Sequence, residues 1–172
     1  MIEEFLNRVN EIYITFLSMN VAYGRYENEM KSILTDNSKN FSFGEGNPND
    51  PSNKTFITEN IGKYKERIKI NGLDRKLMSN LCLVAIYQLW EDEYRKKIAE
   101  EKGIETNKLL IDILGDIRLI RIAIIHNNSK LISDFKRIKV LEFIKDREDI
   151  YLTITEFVFI VETLKDELHK IK

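Results

Sequence analysis

The chain has 172 residues, with 27 basic side chains against 28 acidic ones and a formal charge of −1. That length suits one domain able to bury a core. The charge balance excludes a globally basic nucleic-acid binder but leaves room for a local basic patch. A single cysteine, Cys82, excludes an internal disulfide, and with only His126 and His169 besides it argues against a structural zinc site.

Residues 2–34 place Phe5, Val9, Ile12, Phe16, Met19, Tyr23, Tyr26, Met30 and Ile33 at steps of three and four, the period of an amphipathic helix. Gly24 falls inside it, where it bends the helix or admits a close neighbour. Residues 35–55 hold both prolines, Pro48 and Pro51, with Gly44, Gly46 and many Asn, Asp and Ser, which predicts a long flexible loop or insertion. A short helix is expected over 57–68, stopped by Asn71 and Gly72. Asp74 is expected to cap a long helix over 75–102. Leu77, Leu81, Val84, Gln88 and Glu91 share one stripe there, and Leu81, Ala85, Leu89 and Ile98 share its neighbour. Gly103 stands where a left-handed cap belongs.

A fourth helix is expected from 106 or 107 to His126. It is apolar nearly all round, which predicts burial on more than one side, against the core and against a second protomer. Its most apolar stretch, 117–125, is too short to span a membrane and carries Arg118 and Arg121. Residues 139–153 alternate weakly and predict a minor β-hairpin. Thr155 is expected to cap a last helix to about 170, with Phe157, Ile160, Val161, Leu164 and Leu168 inward. The fold expected is all-α: one domain over 1–172, a bundle of four main helices with the loop and the hairpin. The acidic start, Met-Ile-Glu-Glu-Phe, has no leader pattern, so a cytoplasmic protein is expected.

The sequence contains no glycine-rich phosphate loop and no HExxH, and Cys82 lies in an apolar helical run that suits a structural thiol. Two arginines and a histidine in the most apolar helix are the chemical signal. A desolvated arginine needs an anion, either a protein carboxylate such as Glu91 or Asp112 or a phosphate from outside. Histidine titrates near neutrality, and arginine offers a fixed fork to phosphate oxygens. Arg121 and His126 are five residues apart, about 140° around an ideal helix. They converge only if the helix frays before His126 or a second chain supplies the complement. Lys63, Lys65, Arg67, Lys69, Arg75 and Lys76, with Tyr64 among them, form a basic cluster suited to an RNA backbone, and Lys136, Arg137 and Lys139 form a second.

Arg121-x4-His126 followed by Asn127 resembles the R-x4-6-H motif of HEPN domains (higher eukaryotes and prokaryotes nucleotide-binding), stand-alone prokaryotic type. The run Tyr87-Gln-Leu-Trp90-Glu91-Asp-Glu-Tyr94-Arg95 is similar to the aromatic-Glu stretch of their preceding helix, so the resemblance covers roughly 73–129. It implies an all-α homodimer acting as a metal-independent endoribonuclease, as in toxins and phage-defence effectors, with RNA as substrate, an antitoxin as possible partner and no cofactor. Arg121 and His126 would be catalytic, with Arg118, Asn127 and Glu91 in support. The family usually places a polar residue directly after the motif arginine, where this chain has Ile122. That favours an alternative: a catalytically inactive HEPN-like module that binds a nucleotide or partner and dimerises.

Overall fold

Apolar residues at helical spacing build most of the chain, seen here in a computed structural model that describes residues 1–46, 50 and 52–171. The elements in order are α1 (Ile2–Ile33), β1 (Asn40–Glu45), β2 (Lys54–Asn60), α2 (Ile61–Ile68) and α3 (Leu73–Leu89). A π-helical turn (Trp90–Tyr94) leads into α4 (Arg95–Glu101), then come α5 (Asp112–His126) and α6 (Ile154–Lys170). The protein is mostly helical with a small two-stranded antiparallel sheet. No described helix is long and apolar enough to cross a membrane.

The chain folds as two compact units, residues 1–18 with 76–172, and residues 19–75. The larger unit holds the main core. Phe5, Val9 and Phe16 of α1 pack with Leu83, Ile86 and Trp90 and with Ile113, Ile117 and Ile120 of α5, and Phe157, Ile160, Val161 and Leu164 of α6 complete it. Phe16 and Phe157 rings sit 4.2 Å apart between centroids. The inward residues expected for α6 are those buried. Its cap is Thr153 instead of Thr155: Thr153 and Glu156 form a reciprocal capping box, two residues earlier than the sequence suggested.

Neither stripe is the inward face of α3. Ser79, Asn80, Leu83, Ile86, Tyr87 and Trp90 turn inward, while Leu77, Leu81, Ala85 and Gln88 face outward. The physical reason lies in two buried polar residues that periodicity counts as solvent-facing. Asn80 donates from Nδ2 to the Ile150 carbonyl at 2.7 Å and accepts from the Leu152 N–H at 3.1 Å. Asp116 of α5, 2% exposed, accepts the backbone N–H groups of Lys139, Val140 and Leu141 at 2.7–3.2 Å. These side chains satisfy backbone that a hairpin would have paired. The hairpin expected over 139–153 is therefore absent from the described residues. Short 3-10 turns (Ser133–Arg137 and Glu142–Ile144) and one bridge, Lys130 to Asp149, take its place.

α3 also starts two residues before the expected boundary, so Asp74 lies in its first turn and not at the cap. α5 begins only at Asp112, after a 3-10 turn (Thr106–Lys108). Gly103 has φ of 65°, the left-handed cap predicted for it.

In the smaller unit, the expected 35–55 loop is largely the real hairpin. β1 and β2 pair from Asn40↔Asn60 to Glu45↔Lys54, with an irregularity between Phe43 and Gly44. The tip of that loop, at 47–49 and 51, lies outside the described residues. Strand β2 takes the first part of the expected 57–68 helix, and Asn60 caps the remainder by accepting from the Lys63 N–H. The rings of Phe41, Phe43 and Tyr64 pack against one another, tilted or edge to face. Below them a polar network closes the unit. Arg67 donates twice to Asp74, Tyr23 donates to Asp74 at 2.7 Å, and Arg75 donates to Glu27 at 2.8 Å with its guanidinium over the Tyr23 ring. A Cβ at Gly24 would lie 3.7 Å from the Arg75 guanidinium, an ordinary contact, so the close neighbour expected there does not itself require glycine.

Candidate functional site

The site is built on α5, and its charged side chains sort by depth. Asp116 is inside and committed to backbone, so it serves neither arginine. Arg121 is half-buried. Its Nη2 reaches Gln88 Oε1 of α3 at 3.4 Å, and its Nε is buried with no hydrogen-bond partner. Arg118, His126 and Asn127 are exposed.

The expected carboxylate partners are engaged elsewhere. Glu91 receives Arg95 at 3.2 Å and the Tyr87 hydroxyl at 3.1 Å, while Asp112 receives Lys139 at 2.7 Å. Burial and the Glu91 charge push the Tyr87 phenol up to about 12. Glu91 thus holds an arginine, as expected of it, but the arginine is Arg95. Among the described residues neither Arg118 nor Arg121 has a carboxylate.

His126 is the last residue of α5. The helix does not fray before it, so within one chain Arg121 and His126 stay about 140° apart around the axis. Asn127 ends the helix by donating from Nδ2 to the Ile122 carbonyl at 3.3 Å, and Asn128 and Ser129 follow at φ of 52° and 60°. Ile122 itself is half-buried.

Two large apolar side chains are exposed on the helices that carry these groups: Leu81 of α3 is 62% exposed and Ile125 of α5 46%.

Chain comparison adds no relative. Neither a family model, nor a curated protein, nor a solved structure matches this chain.

The other end of α5 carries two adjoining hollows of about 140 and 490 Å³. Both include Leu110, Ile111, Gly115 and Arg118 in their walls. Tyr87, Trp90 and Arg95 line the smaller one, and Arg137 and Lys139 the larger. Trp90 opens the π-helical turn, a distortion that recurs at functional sites. A Cβ on Gly115 would meet nothing within 4 Å. Packing therefore does not call for glycine there, although glycine costs a helix about 0.5–1 kcal/mol relative to alanine. Sequence reasoning missed this hollow, and the signal available was a glycine inside an apolar helical run.

The basic cluster belongs to the smaller unit, Lys76 excepted, and much of it is neutralised. Arg75 is 5% exposed and paired with Glu27, so it is a structural residue and is unavailable to RNA. Arg67 is paired with Asp74 and Lys69 with Glu66, while Lys65 donates to Asn37. Lys63 is exposed and Lys76 half-buried. Among the described residues no group of His, Cys, Asp and Glu is arranged to hold a metal ion.

Proposed function

We propose that this protein is a HEPN-like helical endoribonuclease that works without a metal ion and as a homodimer. The observation that carries the reading is Arg121. It is half-buried, with its Nε desolvated and unpartnered and one long contact to a neutral amide. A guanidinium so placed calls for an anion that the chain does not supply. A backbone phosphate of RNA is such an anion, and His126 on the same helix is the group able to move a proton at neutral pH.

The chemistry needs only these parts. The 2′-hydroxyl of RNA attacks the adjacent phosphorus, and the bond to the 5′-oxygen breaks. His126 takes the proton from the 2′-hydroxyl or gives one to the leaving 5′-oxygen. Arg121 holds the charge that develops on the non-bridging oxygens. The products are a 2′,3′-cyclic phosphate end and a 5′-hydroxyl end. Arg118 supports the backbone. Asn127 supports His126 indirectly, by fixing the end of α5.

The angular separation of Arg121 and His126 supports a site shared between two copies. One copy's arginine then meets the other's histidine, and the exposed Leu81 and Ile125 supply apolar surface for such a pairing to cover. The same face suits an antitoxin, the partner expected of a toxin or phage-defence effector.

Purified protein is to be incubated with total RNA and tRNA in EDTA, beside His126→Ala and Arg121→Gln. Cleavage by the parent alone, with cyclic phosphate ends, establishes the reading. Equal cleavage by parent and variants assigns the activity elsewhere. A second reading, an inactive dimerisation and binding module, is favoured by Ile122 at the position after Arg121. A folded dimer that cleaves none of these RNAs points to it.

A further inference from the structure

We propose that Gln88 is the positioning residue for Arg121, and that Asp92 fixes which end of the Gln88 amide faces the guanidinium. This role rests on the ribonuclease reading above.

The three side chains form a line from α3 to α5. Asp92 Oδ2 accepts from Gln88 Nε2 at 2.6 Å, and Gln88 Oε1 accepts from Arg121 Nη2 at 3.4 Å. A glutamine amide has a donor end and an acceptor end and can turn either way round. An ionised aspartate has only acceptors, so Asp92 takes the NH2 end. Arginine has only donors, so Arg121 needs the carbonyl end. Both neighbours therefore demand the same orientation. The bond to the carboxylate is the stronger of the two, because its acceptor is charged. Gln at i and Asp at i+4 is also a spacing that joins side chains on a helix surface. Gln88 is exposed, and the bond to Asp92 is what keeps its oxygen at Arg121.

No other described residue holds this guanidinium. Nε of Arg121 is buried without a partner, and Gln88 is the one hydrogen-bond acceptor that its Nη atoms reach among the described residues. Its chain neighbour Ile122 has no polar side-chain atom. Glu91, on the same side of the molecule as Gln88, is taken by Arg95 and Tyr87.

The neutrality of the amide has a consequence for the reaction. A carboxylate in its place would hold Arg121 as firmly but would cancel its charge, and a phosphate would have to compete with it. An amide oxygen takes one of the five guanidinium N–H groups and leaves the charge in place. A cation already aimed where negative charge develops needs no rearrangement at the moment of reaction.

Two measurements test this. The Nε–H signal of Arg121 in a nitrogen–proton correlation spectrum, assigned by its loss in Arg121→Gln, reports whether the guanidinium is held. Steady-state cleavage of an RNA that the parent cuts reports what the hold does. Gln88→Leu removes both polar ends of the side chain. It is expected to shift or broaden the signal and to lower kcat about tenfold, with KM changed less than about threefold and the melting temperature unchanged. Asp92→Lys presents a donor, which takes the Gln88 oxygen and turns the NH2 end towards Arg121. The same change in the signal and a lower kcat are expected. Added positive charge by itself favours RNA, so that fall reports the turned amide. Gln88→Glu is expected to keep the signal sharp and still to lower cleavage at least about tenfold, because Arg121 is then held but neutralised. A merely structural role for Gln88 does not produce that split. An unchanged signal in Gln88→Leu and Asp92→Lys, or no Arg121 signal in the parent, overturns the inference, as does full cleavage by Gln88→Glu. The spectrum needs no substrate. A parent that cuts no RNA therefore counts against the ribonuclease reading alone, while the hold of Gln88 on Arg121 stands or falls on the signal.

Discussion

Asp116 and Asn80 show how much of this structure rests on single polar side chains. Each sits on a helix in the core and satisfies irregular backbone that would otherwise be buried without partners. Leaving such a donor unpaired costs about 1–3 kcal/mol. Asp116→Ala is therefore expected to lower unfolding stability by about 3 kcal/mol or more, read from urea denaturation. Asn80→Ala is expected to cost about 2 kcal/mol in the same measurement. Cys82 makes a different point. Burial pushes its thiol up, so little thiolate exists at neutral pH. Its reaction with a disulfide reagent at pH 7.5 is expected to be well below that of a free cysteine and to rise sharply in denaturant.

Among the helices, α5 and α6 carry the most testable consequences. Gly115 faces open space, so Gly115→Ala is expected to raise stability by about 0.5–1 kcal/mol, the helix preference for alanine with no clash to offset it. A loss of stability would mean that a neighbour occupies that space. At the start of α6, burial works against the Glu156 carboxylate. The Arg147 guanidinium and Thr153 overcome that effect and hold Glu156 below the usual carboxylate range. A group held low stabilises the fold above its unfolded pKa and loses that contribution as pH falls through its folded value. Glu156→Gln is thus expected to lower the melting temperature at pH 7 and to have little effect near pH 3.

For the whole molecule, the exposed Leu81 and Ile125 are expected to be covered by a second copy. Leu81→Glu and Ile125→Glu should each shift sedimentation from dimer to monomer while leaving the far-UV spectrum unchanged. If the site is shared between copies, both substitutions should also abolish RNA cleavage, although neither residue is proposed to contact substrate. A monomeric parent that still cleaves would overturn the shared site.

Helical content, the four long helices, the buried face of α6, the Gly103 cap and the position of Arg121 and His126 at the end of an apolar helix were all legible in the sequence. Each is a local property, written in spacing, capping residues and composition. The placement of the hairpin and the outward face of α3 were not. Asn80 and Asp116 look like solvent-facing residues until the backbone they satisfy is known, and that backbone lies 70–72 and 23–25 residues away along the chain. For the same reason the carboxylate partners went astray. Asp112 lay near Arg118 and Arg121 in sequence and Glu91 on the preceding helix, and Lys139 and Arg95 took them in space. Periodicity orders neighbours along one element, whereas the choice among competing charges and the pairing of irregular backbone depend on contacts between elements, and those exist only once the chain has folded.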